Sequence, residues 1–426
     1  MNTHRPLWSL LALVAVLLGS VACSAAGKGT VVVLASWTGA EEQDFRKVLQ
    51  AFTGKTGIEF DYQGTRALDQ VLASDVQHGT PPDVAVLPNP GSLAGYVHQG
   101  KIKPLGDVLG EQSTGSWQTL EKVGTTQQYA VAVKADLKSA IWYATANLPG
   151  PKPATWAELL ALSGKLTADG RTPWCLGLGA PPTSGWPGTD WIEDILLHTA
   201  GPDFYRRWAA GRVAWTAPEI RKAWADWGEL VTPGGAVRGG APAALLTDFG
   251  DAGRPLFTTP PGCLLEHQAS FIMGNYRRAD NTVPEPAKDF DFFRFPGPEV
   301  SEVSADLAGM FHDTPQAREL MRFLASDEAQ RIWPGIHRGR VFSVDTTVTG
   351  VYDDPVSRRV AEILTASRQP LCFDASDLMP ATMTGAFYRA VLEYLNDPGR
   401  LDDLLKQLET VRNPSTGDWV DVPCGQ

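Results

Sequence analysis

Strand-like and helix-like segments alternate through the first part of this 426-residue chain. The apolar, β-branched run KGTVVVLASW (28–37) predicts a buried strand, and the stretch after it predicts an amphipathic helix that ends at Gly54. The segments IEFDYQG, RALDQVLASDVQHG and PDVAVLP then predict a strand, a helix and a third strand. This β-α-β-α-β order is typical of a parallel sheet covered by helices on both faces, so we predict an α/β fold.

The rest of the chain departs from this alternation. Residues 128–149 predict two extended runs in succession, and residues 155–246 predict a helical section rich in tryptophan. Four later segments predict two strands and then two helices: CLLEHQASFIMGNY, DFDFFRFPGPEV, TPQARELMRFLASDEAQRIW and LDDLLKQLETVR. Because a chain of this length exceeds what one core accommodates, we predict two lobes, each with a mainly parallel sheet flanked by helices.

The N-terminus has the pattern of a targeting segment. Leu7–Leu18 is almost wholly apolar but shorter than the roughly 20 residues that span a bilayer. The small residues of SVAC (20–23) precede a cysteine, so residues 1–22 resemble a bacterial lipoprotein signal, with Cys23 as the acylated N-terminus. This predicts a protein anchored by lipid to the outer face of a bacterial cytoplasmic membrane. The alternative is an ordinary cleaved signal in which Cys23 has no role.

The remaining four cysteines favour disulfides. An even number in an oxidising compartment predicts two bonds among Cys175, Cys263, Cys372 and Cys424. Three pairings are open on this reasoning. A zinc site is the competing interpretation, but no two of these cysteines have ligand spacing such as C-x₂-C.

Charge and motifs exclude several classes of function. A net charge of -11 speaks against nucleic acid, because a basic surface supplies most of the affinity for phosphates. The patterns G-x-x-x-x-G-K-[ST], G-x-S-x-G and H-E-x-x-H do not occur, and the seven histidines are scattered. We therefore expect no catalytic residues, no resident metal and no cofactor.

Three polar or aromatic residues follow the predicted strands of the first sheet. Ligands of open α/β sheets bind outside the carboxyl ends of the strands. Trp37, Arg66 and Asn89 each lie just past such an end, so we expect them along one rim of a binding site. Two of them also have a structural alternative: a packed turn residue for Trp37 and a solvated helix start for Arg66.

The order of elements resembles the solute-binding lipoproteins of ABC sugar importers, which are related in fold to maltose-binding protein. Three blocks are similar to the alpha-glucoside-binding branch of that family: TPWCLGLGAPPTSGWPGTDWIEDILL, TDFGDAGRPLFTTPPGCLLEHQASFI and FDASDLMPATMTGAFY. The LASWTG block departs from the P-W-x-G form of that branch, sharing only Trp37 and Gly39.

This resemblance implies a two-lobed, periplasmic-binding-protein-like fold that closes on a di- or oligosaccharide. It places the N-lobe at 28–135 plus 297–330 and the C-lobe at 136–296 plus 331–426. Hinges are expected near 134–136 and 295–297, where the chain crosses between lobes. The partners implied are ABC permease subunits with a separate ATPase, and the protein itself is expected to be a monomer.

Sugars have apolar faces and a ring of hydroxyls, so a sugar site needs aromatic planes, carboxylates and amides. The chain has 14 tryptophans, most of which are expected to pack cores. The resemblance together with this chemistry predicts eight further ligand contacts: Trp186, Asp190, Trp191, Gln268, Gly309, Asp374, Asp377 and Met379. Asp190 has an alternative as N-cap of the helix DWIEDILLHTA, and Asp374 and Asp377 as Asx-turn residues.

Within these blocks we hypothesise a bond between Cys175 and Cys263, joining the PWC turn to the PPGC turn. A bond between Cys372 and Cys424 then rests on the even number alone. Two rival functions stay open. A secreted glycoside hydrolase would use Asp190 with Asp374 or Asp377 as its carboxyl pair, and a binder of the same fold would take a polyamine or a glycerol-phosphate ester.

Overall fold

The computed structural model describes residues 28–110, 117–336, 341–348, 350–365, 369–413 and 419–425. The predicted signal segment and Cys23 lie outside these residues. The strands are β1 Thr30–Ala35, β2 Glu59–Gly64, β3 Val84–Leu87, β4 Ala130–Leu137, β5 Ala140–Ala144, β6 Leu265–His267, β7 Phe290–Arg294, β8 Ser301–Met310 and β9 Leu371–Phe373. The helices are α1 Ala40–Thr56, α2 Leu68–His78, α3 Pro90–His98, α4 Gly106–Leu109, α5 Gln118–Glu121, α6 Trp156–Ala168, α7 Trp186–Ala200, α8 Pro202–Ala209, α9 Pro218–Val231, α10 Gly240–Leu246, α11 Phe249–Ala252, α12 Pro315–Leu324, α13 Asp327–Ile336, α14 Pro355–Thr365, α15 Ala375–Leu378, α16 Ala381–Asn396 and α17 Leu401–Arg412.

The predicted β-α-β-α-β start is confirmed, and with it the α/β fold class. β1 pairs in parallel with β2 and with β3, so that Val33 stands opposite Tyr62 on one side and Val84 on the other. The full order of this first sheet is β2-β1-β3-β8-β4, with β9 also pairing β8. Every residue of β3 is buried, as expected of a strand covered on both faces.

β8 is a central strand of this sheet and has no counterpart among the predicted elements. It runs antiparallel to β3 and β4 and parallel to β9, which leaves the first sheet mixed but mainly parallel. Its buried positions include Ser301, Glu302 and Asp306. Apolar periodicity therefore does not mark it, although the structure places it in the middle of the sheet.

The second sheet corrects one expectation. It has the order β6-β5-β7, and both strand pairs are antiparallel rather than mainly parallel. Parallel neighbours need a crossover connection, usually an α-helix. β6 and β7 are not neighbours: both lie beside β5 and run opposite to it, so they run in the same direction as each other, with a short 3₁₀ helix, Ser270–Gly274, and a loop between them.

Tryptophans dominate the core of the helical section. Trp208 packs edge-on against Trp215 with ring centroids 5.1 Å apart, and Trp215 lies 4.8 Å from Phe387 on α16. Trp224 of α9 packs edge-on against Tyr394, and Trp227 of the same helix stacks on that ring. These rings are buried in the core and do not form a binding surface, as expected for most of the 14 tryptophans.

Two predicted helix boundaries are wrong, the end of α1 and the start of α7. α1 continues through Gly54 to Thr56, and Gly57 ends it with a φ of 73°, the left-handed conformation that glycine adopts without strain. α7 begins at Trp186, not after Asp190, because Gly185 supplies the N-cap and Pro187 occupies the first turn. Asp190 is therefore a residue of the helix and not its cap.

Two disulfides brace the part of the chain that follows Trp174. Cys175 bonds Cys263 and Cys372 bonds Cys424. The second bond fixes the C-terminal segment beside β9, where Leu371 also pairs with Gly425. None of the helices in the described part of the chain is both long and apolar enough to cross a bilayer.

Candidate functional site

A cavity of about 280 Å³ opens where the carboxyl ends of β1, β2 and β3 face the start of α7 and the segment after β9. This is the rim at which the sequence places a ligand site. The side chains that line the cavity are Ser36, Trp37, Glu41, Arg66, Leu68, Asp69, Pro88, Asn89, Lys134, Asp136, Lys138, Ala180, Pro181, Thr183, Trp186, Asp190, Asp248, Phe249, Phe271, Asn275, Ser304, Asp306, Asp374, Ser376, Asp377 and Tyr388.

The three residues predicted at strand ends all line this cavity. Trp37 is only 3% exposed, because its ring packs edge-on against Trp333 with centroids 4.6 Å apart. Arg66 is exposed, and its guanidinium lies 5.8 Å from the ring centroid of Phe249. Asn89 Nδ2 donates a hydrogen bond of 2.5 Å to Asp377 Oδ1. Trp37 thus offers little ring face, whereas Arg66 is open to a ligand.

An aromatic wall stands on the α7 side. Trp186 is partly exposed and packs against Phe249 and Phe271, with ring centroids 4.9 and 6.0 Å away. Phe249 begins α11, and its neighbour Asp248 caps that helix by accepting from the backbone N–H of residue 250. Trp186 is held by aromatic contacts and still presents part of its ring to the cavity.

The predicted acids of the FDASDLMP segment are both at the cavity. Asp374 caps α15, because Oδ1 accepts from the backbone N–H of Asp377 at 3.0 Å and from the Ser376 hydroxyl at 2.8 Å. The structural alternative for Asp374 is therefore realised, and the residue nevertheless lines the cavity. Burial and the nearby Asp374 raise the pKa of Asp377 well above its usual range.

Four predicted contacts lie away from the cavity lining. Trp191 is buried against Trp174 and His267. Gln268 is buried, and its Oε1 accepts from the backbone N–H that follows it. Gly309 sits inside β8, under Leu93 of α3. Buried Met379 belongs to the core. Trp191 directly follows the lining residue Asp190, whereas the other three lie two or three positions from the nearest lining residue.

The cavity floor is made by residues that the sequence analysis does not predict as ligand contacts, although it places a hinge near 134–136. Lys134, Asp136 and Lys138 alternate along β4 and the residue after it, and all three line the cavity. Their period of two places them on one face of the strand. Charged residues at alternate positions in the otherwise apolar stretch AVAVKADLKSAIWYA are the signal that could have identified them.

Lys134 is surrounded by carboxylates. Its Nζ lies 3.2 Å from Asp306 Oδ2, 3.3 Å from Asp136 Oδ2 and 3.5 Å from Glu41 Oε1. Burial lowers the pKa of Lys134, but Asp136, Asp306 and Glu41 outweigh it and raise the pKa overall. Burial in turn raises the pKa of Asp306 to about 6, although Lys134 opposes the shift.

Lys138, four residues after Lys134, is likewise surrounded by carboxylates. Its Nζ lies 3.0 Å from Asp190 Oδ2 and 2.8 Å from Asp374 Oδ2. Burial opposes its charge, yet Asp190 and Asp374 raise the pKa of Lys138 well above its usual range. Burial raises the pKa of Asp190 to about 6, whereas Lys138 brings the pKa of Asp374 below its usual range despite burial.

A third group of acids lies beneath the floor. Carboxylate oxygens of Glu193, Glu302 and Asp374 all fall within 4.8 Å of one another, and all three side chains are buried. Burial, with the neighbouring acids, raises the pKa values of Glu193 and Glu302 well above their usual range. Carboxyls that keep their protons explain this close approach.

Charge in the cavity lining is predominantly negative. Eight carboxyl side chains face three cationic ones; the acids are Glu41, Asp69, Asp136, Asp190, Asp248, Asp306, Asp374 and Asp377, and the cations Arg66, Lys134 and Lys138. Both lysines are paired with carboxylates. Such a lining disfavours an anionic ligand.

Residues 37–331 match the model of a family described as bacterial extracellular solute-binding protein. Two relatives are each 34% identical to the chain. The alpha-glucosides-binding periplasmic protein AglE of Rhizobium meliloti (strain 1021) aligns over 88% of this chain and 85% of its own length. The osmoprotective compounds-binding protein GgtB of Synechocystis sp. (strain ATCC 27184 / PCC 6803 / Kazusa) aligns over 86% and 88%.

Solved structures show the same fold. The bacterial solute receptor AcbH, described as exclusive for β-D-galactopyranose, superposes with a TM-score of 0.75 at 18% identity and covers 90% of this chain and 98% of its own. A chitin oligosaccharide binding protein superposes with a TM-score of 0.72, also at 18% identity, covering 91% and 98%. The predicted two-lobed fold is thereby confirmed.

Proposed function

Because this chain belongs to the family of bacterial extracellular solute-binding proteins, we propose that it captures an alpha-glucoside or a related di- or oligosaccharide for an ABC importer. Its relative AglE is named for alpha-glucoside binding. We also propose that it delivers the bound sugar to permease subunits, whose transport is powered by a separate ATPase.

One observation carries the ligand class: an aromatic wall stands beside a floor of paired charges. Trp186, with Phe249 and Phe271 behind it, can cover the apolar face of a sugar ring. Asp377, Asn89 and Arg66 supply carboxyl, amide and guanidinium groups for hydroxyls at the opposite rim. A neutral ligand with many hydroxyls matches both surfaces.

The glycoside hydrolase alternative fits this geometry poorly. In a glycoside hydrolase the two carboxyl groups flank the glycosidic bond that is cleaved. Here the ammonium of Lys138 holds Asp190 and Asp374 together, with one oxygen of each within 3.0 Å of Nζ. Lys138 also brings the pKa of Asp374 below its usual range despite burial, so Asp374 is ionised and has no proton to donate. We therefore propose a binding protein without catalytic residues.

Capture would proceed by closure of the lobes, with the N-lobe at 28–135 plus 297–330 and the C-lobe at the remaining mature residues. A ligand favours the closed state only as far as it contacts both lobes. Arg66 and Asn89 lie on the proposed N-lobe, and Trp186 and Asp377 on the C-lobe. A monomer anchored through acylated Cys23 would keep this cleft near the permease.

Titration calorimetry tests the ligand class. Maltose, trehalose and glucosylglycerol form the neutral arm, spermidine and glycerol 3-phosphate the charged arms. We expect binding in the neutral arm. Binding of spermidine alone would favour the polyamine alternative, for which the excess of carboxylates is the supporting observation. Release of glucose from maltose or trehalose at enzymatic rates would overturn the binding function.

Lipid anchoring needs its own test. Full-length protein expressed in a bacterium should partition with membranes and carry a diacylglycerol mass at its mature N-terminus. Cys23→Ser should abolish both. Release of the unmodified wild-type protein into the medium would favour the ordinary cleaved signal.

A further inference from the structure

Lys138 joins three segments of the chain at one point. The lysine itself follows β4 of the first sheet, Asp190 belongs to α7, and Asp374 follows β9. All three side chains are at least nine-tenths buried, and the ammonium lies 3.0 and 2.8 Å from the two carboxylates. An ion group so placed resists separation of these segments, because a buried charge without its partner is costly.

We propose that Lys138 is a positioning residue for ligand capture, which holds the two walls of the cavity in register through Asp190 and Asp374. This inference rests on the proposed function. Lys138 acts on the ligand indirectly. Asp190 fixes the position of Trp186 on one wall, and Asp374 fixes the position of Asp377 on the other.

The α7 wall is linked through Trp186. It lies one helical turn before Asp190, so the position of the carboxylate sets the position of the ring. Lys138 also contacts this ring directly, with Nζ 5.2 Å from its centroid. Movement of the ammonium would therefore displace the aromatic surface.

The opposite wall is linked through Asp377. Asp374 gives one oxygen to Lys138 and the other to the backbone N–H of Asp377. Asp377 in turn accepts from Asn89 at 2.5 Å. A continuous chain of contacts therefore connects the ammonium of Lys138 to Asn89 at the rim after β3.

Other charged and titratable groups around Lys138 are nearly all acidic or phenolic. On α7 these are Glu193 and Asp194, on β8 Glu302, on α15 Asp377, on α8 Tyr205 and on α16 Tyr388; His267 of β6 also contacts Asp194. Without the ammonium, Asp190 and Asp374 would face each other as like charges in a low-dielectric site.

Lys134 does not have this role, although it contacts three carboxylates. Glu41, Asp136 and Asp306 belong to α1, β4 and β8, all within the first sheet or the helix packed on it. Lys138, by contrast, reaches α7 and the segment after β9. The distinction comes from the partners and not from the type of residue.

The test measures affinity by calorimetry for whichever of maltose, trehalose and glucosylglycerol the wild type binds. Lys138→Met should weaken binding at least about 30-fold at pH 7.5, the effect of removing one partner from a buried charge pair. Lys138→Arg keeps the charge and should recover most of the affinity. Lys222→Met is the matched control, because it removes a lysine from an ion pair with Asp226 on α9, away from the cavity.

The pH profile separates positioning from a general structural role. Acidification from pH 7.5 to 5 should weaken binding by the wild type, because Asp190 then loses the charge that Lys138 holds. The same change should strengthen binding by Lys138→Met, because protonation relieves the repulsion between Asp190 and Asp374. A loss of affinity in Lys138→Met with the same pH dependence as the wild type would overturn the proposal.

A second variant covers the case in which Lys138→Met does not fold. Lys138→Met combined with Asp374→Asn leaves the net charge of the group unchanged and keeps a good N-cap for α15. It should bind at least about 10-fold more weakly than Asp374→Asn alone; equal affinity of these two variants would refute the role of Lys138. If the wild type binds no sugar at all, the proposed function fails instead.

Discussion

Glu266 provides a sharp test of the electrostatics of this fold. It lies on β6 opposite Trp142 and is 2% exposed. Its Oε2 accepts a hydrogen bond of 2.8 Å from the Tyr276 hydroxyl, and Oε1 has no hydrogen-bond partner among the described residues. Burial raises the pKa of Glu266 to about 8, against a weaker lowering by Tyr276. The carboxyl is therefore protonated in the native state at neutral pH.

The sign of the effect follows from proton linkage. The native state keeps the proton up to about pH 8, whereas the unfolded state releases it near pH 4.5. The free energy of unfolding is therefore highest, as far as Glu266 is concerned, below about pH 4.5, and it falls as the pH rises from 4.5 to about 8. A shift of this size amounts to about 5 kcal/mol over the whole window and about 3 kcal/mol at pH 7.

Glu266→Gln removes this dependence. A glutamine has the shape of the protonated acid and can still accept from Tyr276, so we expect it to stabilise the protein by up to about 3 kcal/mol at pH 7 and by little near pH 4.5. Urea unfolding followed by tryptophan fluorescence at pH 4.5, 6, 7 and 8 measures the difference. Exposed Glu219→Gln on α9 controls for net charge. A difference from wild type that does not grow with pH would refute the reasoning.

Three further predictions concern the cavity and its surroundings. Trp186→Ala should weaken sugar binding at least about 10-fold, since it removes the exposed aromatic face, and change the melting temperature of the free protein little; equal affinity in calorimetry would remove this wall from the site. Gly91→Ala should destabilise by at least about 2 kcal/mol, because its Cβ would lie 2.0 Å from the Met379 carbonyl oxygen. Gly95→Ala on the same helix meets nothing within 4 Å and should stabilise by about 0.5–1 kcal/mol in urea unfolding; similar effects of the two would contradict the close approach. Because burial raises the pKa of Asp190 to about 6, wild-type sugar affinity measured between pH 8 and 5 should decline below pH 6, and constant affinity would show that the ionised form is not required.

Local pattern was sufficient for strands β1 to β3 of the first sheet and for the rim at their carboxyl ends. The β-branched runs and amphipathic helices from β1 to β3 lie where their periodicity predicts, and residues just past these strand ends, Trp37, Arg66 and Asn89, line the cavity. A crossover helix forces successive strands to run parallel, so their carboxyl ends share one edge. Whether these residues contact a ligand stays a prediction.

Periodicity did not reveal the partners of buried charges. β8 carries Glu302 and Asp306 at positions that a strand pattern assigns to apolar residues. In the second sheet, β5 pairs antiparallel with β6 and β7, which follow it in the chain only after the helices from α6 to α11. Trp191 directly follows the lining residue Asp190 yet is buried in the core. A shift of one position along a helix or strand decides between cavity and core.

The sequence by itself determined the α/β class, the family resemblance and the rim at which a ligand would enter. The tertiary structure alone decided the floor of the cavity, where Lys134 and Lys138 are stabilised by carboxylates from α1, α7, β8 and the segment after β9. A buried lysine is tolerated only where opposite charges surround it. Those charges come from segments far apart in the chain, so only the folded arrangement shows why these two lysines can be buried.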